Sequence, residues 1–230
     1  MNNKKTASEL MFQICSYDHL GSAVNYEPNT QAPLLDFDFD RYSYFLGNTN
    51  TKILVKAIHE RESCRNFYKN QFGTTTLQEI LFNGYSLKSN TGSYTIPQAG
   101  GLPAMSLIVL SYSHKDRELK LYNYDPKTYE LNDVKILNTP LEKLFYTKSI
   151  NFNSVNHCII IISDLQTLSK QYLARGFKFA CFQAGHIAQN ILLCAASLGI
   201  KAIPLGSLVE NNITKYCLSS DLYPLYAVIM

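Results

Sequence analysis

The sequence predicts an α/β (α+β) fold in which one domain, residues 51–230, follows an N-terminal arm, residues 1–50. Two observations carry this prediction. Short segments rich in β-branched and aromatic residues recur after residue 104, as expected for strands. A longer segment, from about Arg175 or Phe177 to Leu198, is apolar over most of its length and stops at Gly199, which indicates a long helix with a glycine end.

Composition narrows the class of protein. The chain has 230 residues, 46% of them hydrophobic and 17% charged, as in an ordinary globular protein. A net charge of +3 and the absence of a long basic run argue against a nucleic-acid partner. No uninterrupted apolar run is longer than six residues, which is far too short to span a membrane. We therefore expect a soluble, cytoplasmic protein.

The six cysteines show no C-x-x-C pair, and three of them, Cys158, Cys181 and Cys194, lie in apolar stretches. We interpret them as small core residues in a reducing compartment, with a disulfide framework or a metal site as the alternative.

Two helices are predicted before the strands. The first covers about Thr51 to Glu62 and has one apolar face. Thr75 or Thr76 could cap the second, since Glu79 stands three residues after Thr76, as in a capping box. The apolar positions are Ile53, Leu54, Ala57 and Ile58 in the first helix and Leu77, Ile80, Leu81 and Tyr85 in the second.

The strand predictions begin at residue 105 and cover 105–112, 118–124, 156–163, 202–205 and 223–230, with another short strand after Asp125-Pro126. In the arm, the alternating segment 35–45 is interpreted as a strand or an extended stretch lying on a neighbouring surface.

The segment RESCRNF, residues 61–67, is the first candidate for chemistry. Arg61, Ser63 and Arg65 alternate, so in extended backbone two guanidinium groups and a hydroxyl point the same way. Arginine suits a phosphate monoester because its donors are planar, bidentate and permanently charged. The competing interpretation, which the heptapeptide alone favours, is a solvated helix end.

The segment YTIPQAGGLP, residues 94–103, is the second candidate. Its two glycines carry no Cβ, so a ligand could approach the backbone closely. A simple turn is the alternative, and the commoner one.

The third candidate is the polar set His186, Gln189 and Asn190 on the long helix, where the i, i+3, i+4 spacing brings them near one face. Lys178 lies eleven residues before Gln189, close to three turns, and shares the face of Gly185 and Gln189. A hydrogen-bonded core network and a merely exposed lysine are the alternatives.

Taken in order, these motifs resemble the nitroreductase superfamily. The sequence has R-x-S-x-R-x-F, then P-x-A-G-G-L-P, then L-Y-x-Y-D-P, then G-H-x-x-Q-N. Within the superfamily it is most similar to the SagB-type dehydrogenases, which oxidise azolines in thiazole- and oxazole-containing peptides. The resemblance implies a homodimeric three-layer sandwich, whose central, mostly antiparallel sheet is flanked by helices.

The resemblance also implies FMN bound between two protomers, and no metal. By that likeness, Arg61, Ser63 and Arg65 hold the phosphate. The remaining cofactor contacts would come from Pro97, Gln98, Ala99, Gly100 and Gly101 along the ring and ribityl chain, from Leu205, Gly206 and Ser207 near N5, and from Gln189 nearby. Lys178 is the candidate catalytic base, a role that would require partial burial beside the ring.

The implied activity is oxidation of thiazoline or oxazoline rings. The chain shows no ATP-binding motif, so a separate cyclodehydratase and a precursor peptide are the expected partners. The sequence departs from the family pattern at three places. Phe179 carries no phenol, Gln98 replaces a serine, and the glycine and basic tail expected after Tyr226 are missing. Lys201 could supply the charge that such a tail would provide. These departures keep two alternatives open, an NAD(P)H-dependent nitroreductase or quinone reductase and a non-catalytic scaffold.

Overall fold

The computed structural model describes residues 9, 11–12, 49–68, 72–218 and 222–230. Five helices and six strands form in this part of the chain, and short 3-10 turns lie at Ala99–Gly101, Leu141–Leu144 and Phe152–Ser154. The helices are α1 (Thr49–Glu60), α2 (Thr74–Gly84), α3 (Leu165–Tyr172), α4 (Arg175–Ser197) and α5 (Glu210–Cys217). The strands are β1 (Met105–Ser113), β2 (Glu118–Tyr124), β3 (Leu131–Leu137), β4 (His157–Ser163), β5 (Ile203–Leu205) and β6 (Tyr223–Ile229).

The strands form one antiparallel sheet in the order β3-β2-β1-β4-β6-β5. Both faces at the centre of the sheet are buried, because successive residues of a strand pack in two different apolar clusters. Leu107 of β1 packs in the cluster that contains residues of α2 and α4, whereas Ile108 packs in the cluster that contains residues of α5 and the 3-10 turns. The result is the expected three-layer arrangement, with a sheet between two helical layers.

The predicted strands agree well with the observed ones, whereas the predicted helices differ from the structure in three respects. Helix α2 begins after Gly73, which offers no side-chain cap, so the predicted threonine cap is wrong. The apolar face of α1 contributes only Ala57 to the core, and the side chains of Ile53, Leu54 and Ile58 are exposed. Helices α3 and α5 were not predicted, and each has only eight residues.

Helix α4 lies at the centre of one layer and contacts the other helices of that layer as well as strands β1, β4, β5 and β6. Within the described ranges it is the one helix long and apolar enough to cross a bilayer by length and composition. Nine of its residues are buried inside the protein, which identifies it as a core helix.

Within the N-terminal arm the structure describes residues 9, 11–12 and 49–50, all of them helical, and the last two begin α1. The carboxylate of Glu9 is buried and accepts hydrogen bonds from Gln166 Nε2 (3.3 Å) and Tyr223 Oη (2.9 Å). Phe12 packs edge-on against Phe177 and Tyr223. The predicted segment 35–45 lies outside the described residues.

Candidate functional site

The arginine segment lies beside the strand that leads into residues 205–207. Ser63 forms a parallel bridge with Ala202, and the amide of Cys64 donates to the carbonyl oxygen of Ala202 at 3.2 Å. Further along the segment, the carbonyl of Arg65 accepts from the amide of Asn151 at 3.0 Å. These backbone bonds hold 61–65 in place, independently of its side chains.

The arginine side chains remain available for a ligand. Arg61 is half-buried, while Ser63 and Arg65 are exposed. Arg61 borders a cavity of about 400 Å³ whose wall also includes Glu62 and Lys201. The Lys201 ammonium pairs with the Glu62 carboxylate. This pairing lowers the pKa of Glu62 and raises that of Lys201, so the extra cation expected at Lys201 is held by Glu62 in this chain.

Residues 205–207 are the last residue of strand β5 and the two residues that follow it, and they include the buried hydroxyl of Ser207. Leu205 pairs with Ala227 of β6, and the carbonyl of Ser207 accepts from the amide of Tyr146 at 2.9 Å. Ser207 Oγ is buried and has no hydrogen-bond partner among the described residues. An unpaired buried hydroxyl is costly, which favours a ligand or water that bonds to it.

The loop 97–101 borders a second cavity, of about 640 Å³, to which Pro97, Gln98 and Gly101 contribute. Gln98 Nε2 donates to the hydroxyl of Tyr85 at 3.3 Å, and that hydroxyl donates to the carbonyl of Met105 at 2.9 Å. Burial raises the pKa of Tyr85, which keeps its phenol protonated. Glutamine at position 98 therefore anchors the loop to the core.

The two glycines of this loop differ. Both have positive φ, +60° at Gly100 and +70° at Gly101. A Cβ at Gly101 would meet nothing within 4 Å, whereas a Cβ at Gly100 would lie 2.5 Å from Tyr172 Oη. At Gly100, therefore, the side chain of Tyr172 makes the close approach to the backbone that was expected from a ligand. Of the two glycines, Gly101 has the space for a ligand.

Helix α4 presents its polar set outward. Lys178, Gly185, His186 and Gln189 are exposed and Asn190 is half-buried, so the shared face of Lys178, Gly185 and Gln189 is confirmed. The partial burial that a base at Lys178 would require is not present in the single chain. Its ammonium lies 5.5 Å from the ring centroid of Phe182, one turn further along the helix.

Strand β6 connects the two halves of the candidate site. Leu225 packs in the apolar cluster that includes Ala99 of the loop. The next residue, Tyr226, lies 3.8 Å from the position of a Cβ on Gly206. The loop and residues 205–207 therefore flank the same strand, and the arginine segment joins them through Ala202.

Gln183 is a polar residue that sequence reasoning missed. It is 2% exposed, its Nε2 donates to the carbonyl of Phe179 at 3.3 Å, and its Oε1 has no partner among the described residues. The available signal was a lone amide on the core-facing side of an apolar helix, in line with Ala180 and Ile187.

These donors fit an FMN group. Two guanidinium groups and a hydroxyl suit a phosphate monoester. The unpaired Ser207 hydroxyl and the open backbone at Gly101 suit a polar, planar ring.

Comparison with known proteins gives consistent results. The chain is 27% identical over 175 residues to a protein of Methanocaldococcus jannaschii named as a nitroreductase, which covers 75% of this chain and 87% of the relative. A crystal structure from Ralstonia eutropha, also named as a nitroreductase, superposes with a TM-score of 0.65 at 20% identity, over 76% of this chain and 80% of that one. A chain of the E. coli microcin synthetase McbBCD complex, with truncated pro-MccB17 bound, superposes with a TM-score of 0.67 at 17% identity, over 92% of this chain and 79% of that one.

The sequence profile of the Nitroreductase family matches residues 58–229, a span that contains the arginine segment, the loop 97–101, Lys178, Gln189 and residues 205–207. This chain belongs to the nitroreductase family.

Proposed function

We propose that the protein is an FMN-dependent dehydrogenase that oxidises thiazoline or oxazoline rings in a peptide to thiazoles or oxazoles. The observation that carries the choice of substrate is the superposition with the microcin synthetase complex, which covers 92% of this chain. The nitroreductase structure from Ralstonia eutropha covers 76%. The microcin synthetase complex holds truncated pro-MccB17, which supports a peptide substrate here.

The arginine segment supports the choice of cofactor. Arg61, Ser63 and Arg65 would bind the phosphate, since their backbone is fixed by Ala202 and Asn151 while their side chains stay available. The loop 97–101, Gln189 and residues 205–207 would surround the ring and ribityl chain. The buried Ser207 hydroxyl would gain the partner it lacks. FMN, when bound, supplies the hydride acceptor.

Aromatisation of an azoline ring removes a hydride and a proton, so a base is also needed. Lys178 is the proposed base, because it projects from the exposed face of α4 that it shares with Gln189. In the single chain this face is open to solvent. A neighbouring protomer or the substrate would have to exclude water from it, which strengthens the electrostatic interactions of a base.

The exposed apolar face of α1 supports a homodimer. Ile53 (69% exposed) and Leu54 (52%) border a groove of about 510 Å³ between α1 and α4. Ile58 extends the same face (47% exposed). Adjacent exposed apolar side chains mark interaction sites. A cyclodehydratase and a precursor peptide are the further partners we propose, in the cytoplasm.

A nitroreductase or quinone reductase supplied by NAD(P)H is the second candidate. The relative from Methanocaldococcus jannaschii, named as a nitroreductase, favours it. The two candidates share the fold and differ in the electron donor: a peptide ring in one case and a nicotinamide in the other.

A synthetic peptide with one central thiazoline tests the proposal. FMN-loaded protein under air should convert it to the thiazole, with a mass decrease of two hydrogen atoms. Protein stripped of flavin is the control and should leave the mass unchanged. Reduction of a nitroarene by NADPH without any peptide oxidation would establish the second candidate. Absence of both reactions in a flavin-loaded sample would indicate a scaffold.

A further inference from the structure

The last turn of helix α3 meets the loop 97–101 through polar groups. A Cβ at Gly100 would lie 2.5 Å from Tyr172 Oη and 3.2 Å from Gln171 Nε2. Glycine at this position thus lets the phenol reach the loop backbone. The phenol would otherwise be displaced, because the side-chain end is the flexible partner in such a contact.

The ring of Tyr172 is fixed by its neighbours. It stands edge-on to Phe179 at a centroid distance of 4.7 Å, and the guanidinium carbon of Arg175 lies 5.6 Å from the centroid of the same Phe179 ring. Phe179 directly follows Lys178 in helix α4, so this contact links the phenol to the helix that carries the proposed base.

The hydroxyl of Tyr172 is available for a ligand. The ring is half-buried, and the hydroxyl makes no hydrogen bond with any described residue. The side chain of Phe179 carries no hydrogen-bonding group, whereas Tyr172 beside it carries a phenol. A fixed ring with an unpaired donor loses little conformational entropy when it binds an acceptor.

We propose that Tyr172 is a substrate-binding residue, whose hydroxyl donates a hydrogen bond to an acceptor of the peptide, the azoline nitrogen or the adjacent carbonyl, beside Gly100. This inference rests on the proposed function and adds a residue to it. The phenol exchanges no proton in the reaction; it orients the ring beside Gly100.

The test measures binding of the oxidised product, a synthetic thiazole peptide, to FMN-loaded protein by calorimetry, together with FMN content. Tyr172→Phe keeps the ring contact with Phe179 and should weaken peptide binding about 3- to 10-fold, the range expected for one hydrogen bond, with FMN content unchanged. KM for the thiazoline peptide should rise by a similar factor. Tyr216→Phe, in α5, which packs in a different cluster, is the matched control and should have no effect.

A glycine pair gives an independent variant. Gly100→Ala places a methyl group against the phenol and should weaken peptide binding as well. Gly92→Ala has the same left-handed φ (+63°) with nothing within 4 Å, so it controls for backbone strain. If the wild type oxidises the thiazoline peptide and Tyr172→Phe binds the thiazole peptide as tightly as wild type, the role of Tyr172 is refuted and the proposed function stands. If the wild type neither oxidises the thiazoline peptide nor binds its product, both are refuted.

Discussion

Arg61 and Arg65 have backbones held by hydrogen bonds that their side chains do not share. Replacing both with alanine should therefore leave the fold intact and remove the phosphate contacts. Because each charge-assisted contact is worth roughly 1.5–3 kcal/mol, we expect the Kd for FMN to rise by at least ~10²-fold. Flavin released on denaturation measures the change. Lys120→Ala with Lys135→Ala removes two charges at the far edge of the sheet and should keep full flavin; a stoichiometric flavin content in the arginine variant would rule out the phosphate assignment.

Lys178 is exposed, and its ammonium lies over the ring of Phe182 in the same helix. Lys178→Ala should thus fold and bind FMN normally, while turnover of a thiazoline peptide falls by ~10²–10⁴, the usual contribution of a positioned base. Lys170→Ala, an exposed lysine of α3, is the control. Unchanged turnover in Lys178→Ala would show that a different group takes the proton.

Strands β1 and β4 carry a hydrogen-bonded polar pair, Ser111 and His157, which face each other across the two strands. His157 Nδ1 lies 2.8 Å from Ser111 Oγ, its ring is 5.0 Å from that of Phe72, and burial lowers the pKa of His157 from 6.5 to about 4. The unfolded chain therefore binds a proton below pH 6.5 that the folded chain refuses until about pH 4. The free energy of unfolding must fall as the pH drops through this window.

Between pH 7 and pH 5 we expect a loss of about 1–2 kcal/mol from this one histidine. Urea denaturation at both values measures it. His157→Gln should flatten the difference, and His114→Gln, an exposed histidine, should not. An equal pH dependence in His157→Gln and wild type would show that other groups cause the loss.

The strands could be predicted because their buried residues alternate or are continuous. Strand β2 was predicted at its observed bounds, and the predicted start of β4 is one residue before the observed start, His157. The helix caps could not be predicted in the same way, since α2 uses Gly73 without any side-chain bond. The orientation of α1 was also beyond the sequence, because an apolar face looks the same whether it meets the core or a partner.

In the candidate site, too, the local features could be predicted from the sequence and the tertiary contacts could not. Spacing placed Lys178, Gly185 and Gln189 on one face, and the structure confirms it. The contact between Gly100 and Tyr172 joins residues far apart in the chain, so no local pattern could reveal it. The unpaired oxygens of Ser207 and Gln183 likewise depend on what surrounds them after folding.

At the scale of the whole molecule, the exposed face of α1 predicts a homodimer in which α1 and α4 meet a second copy. Ile53→Glu places a charge in this face and should yield monomers in light scattering at micromolar concentration, with weaker FMN retention. Ile136→Glu on β3 is a matched control, since Ile136 is also exposed (52%) but lies at the opposite sheet edge. A wild-type protein that is monomeric with FMN bound would contradict the dimer.

In the proposed reaction, an azoline ring in a peptide is the electron donor to the flavin. Anaerobic mixing of FMN-loaded protein with the thiazoline peptide tests it most directly, because no acceptor other than the bound flavin is present. We predict that the visible absorption band of oxidised flavin bleaches as the thiazole forms, one ring per flavin. Bleaching by NADPH with none by the peptide would contradict the claim.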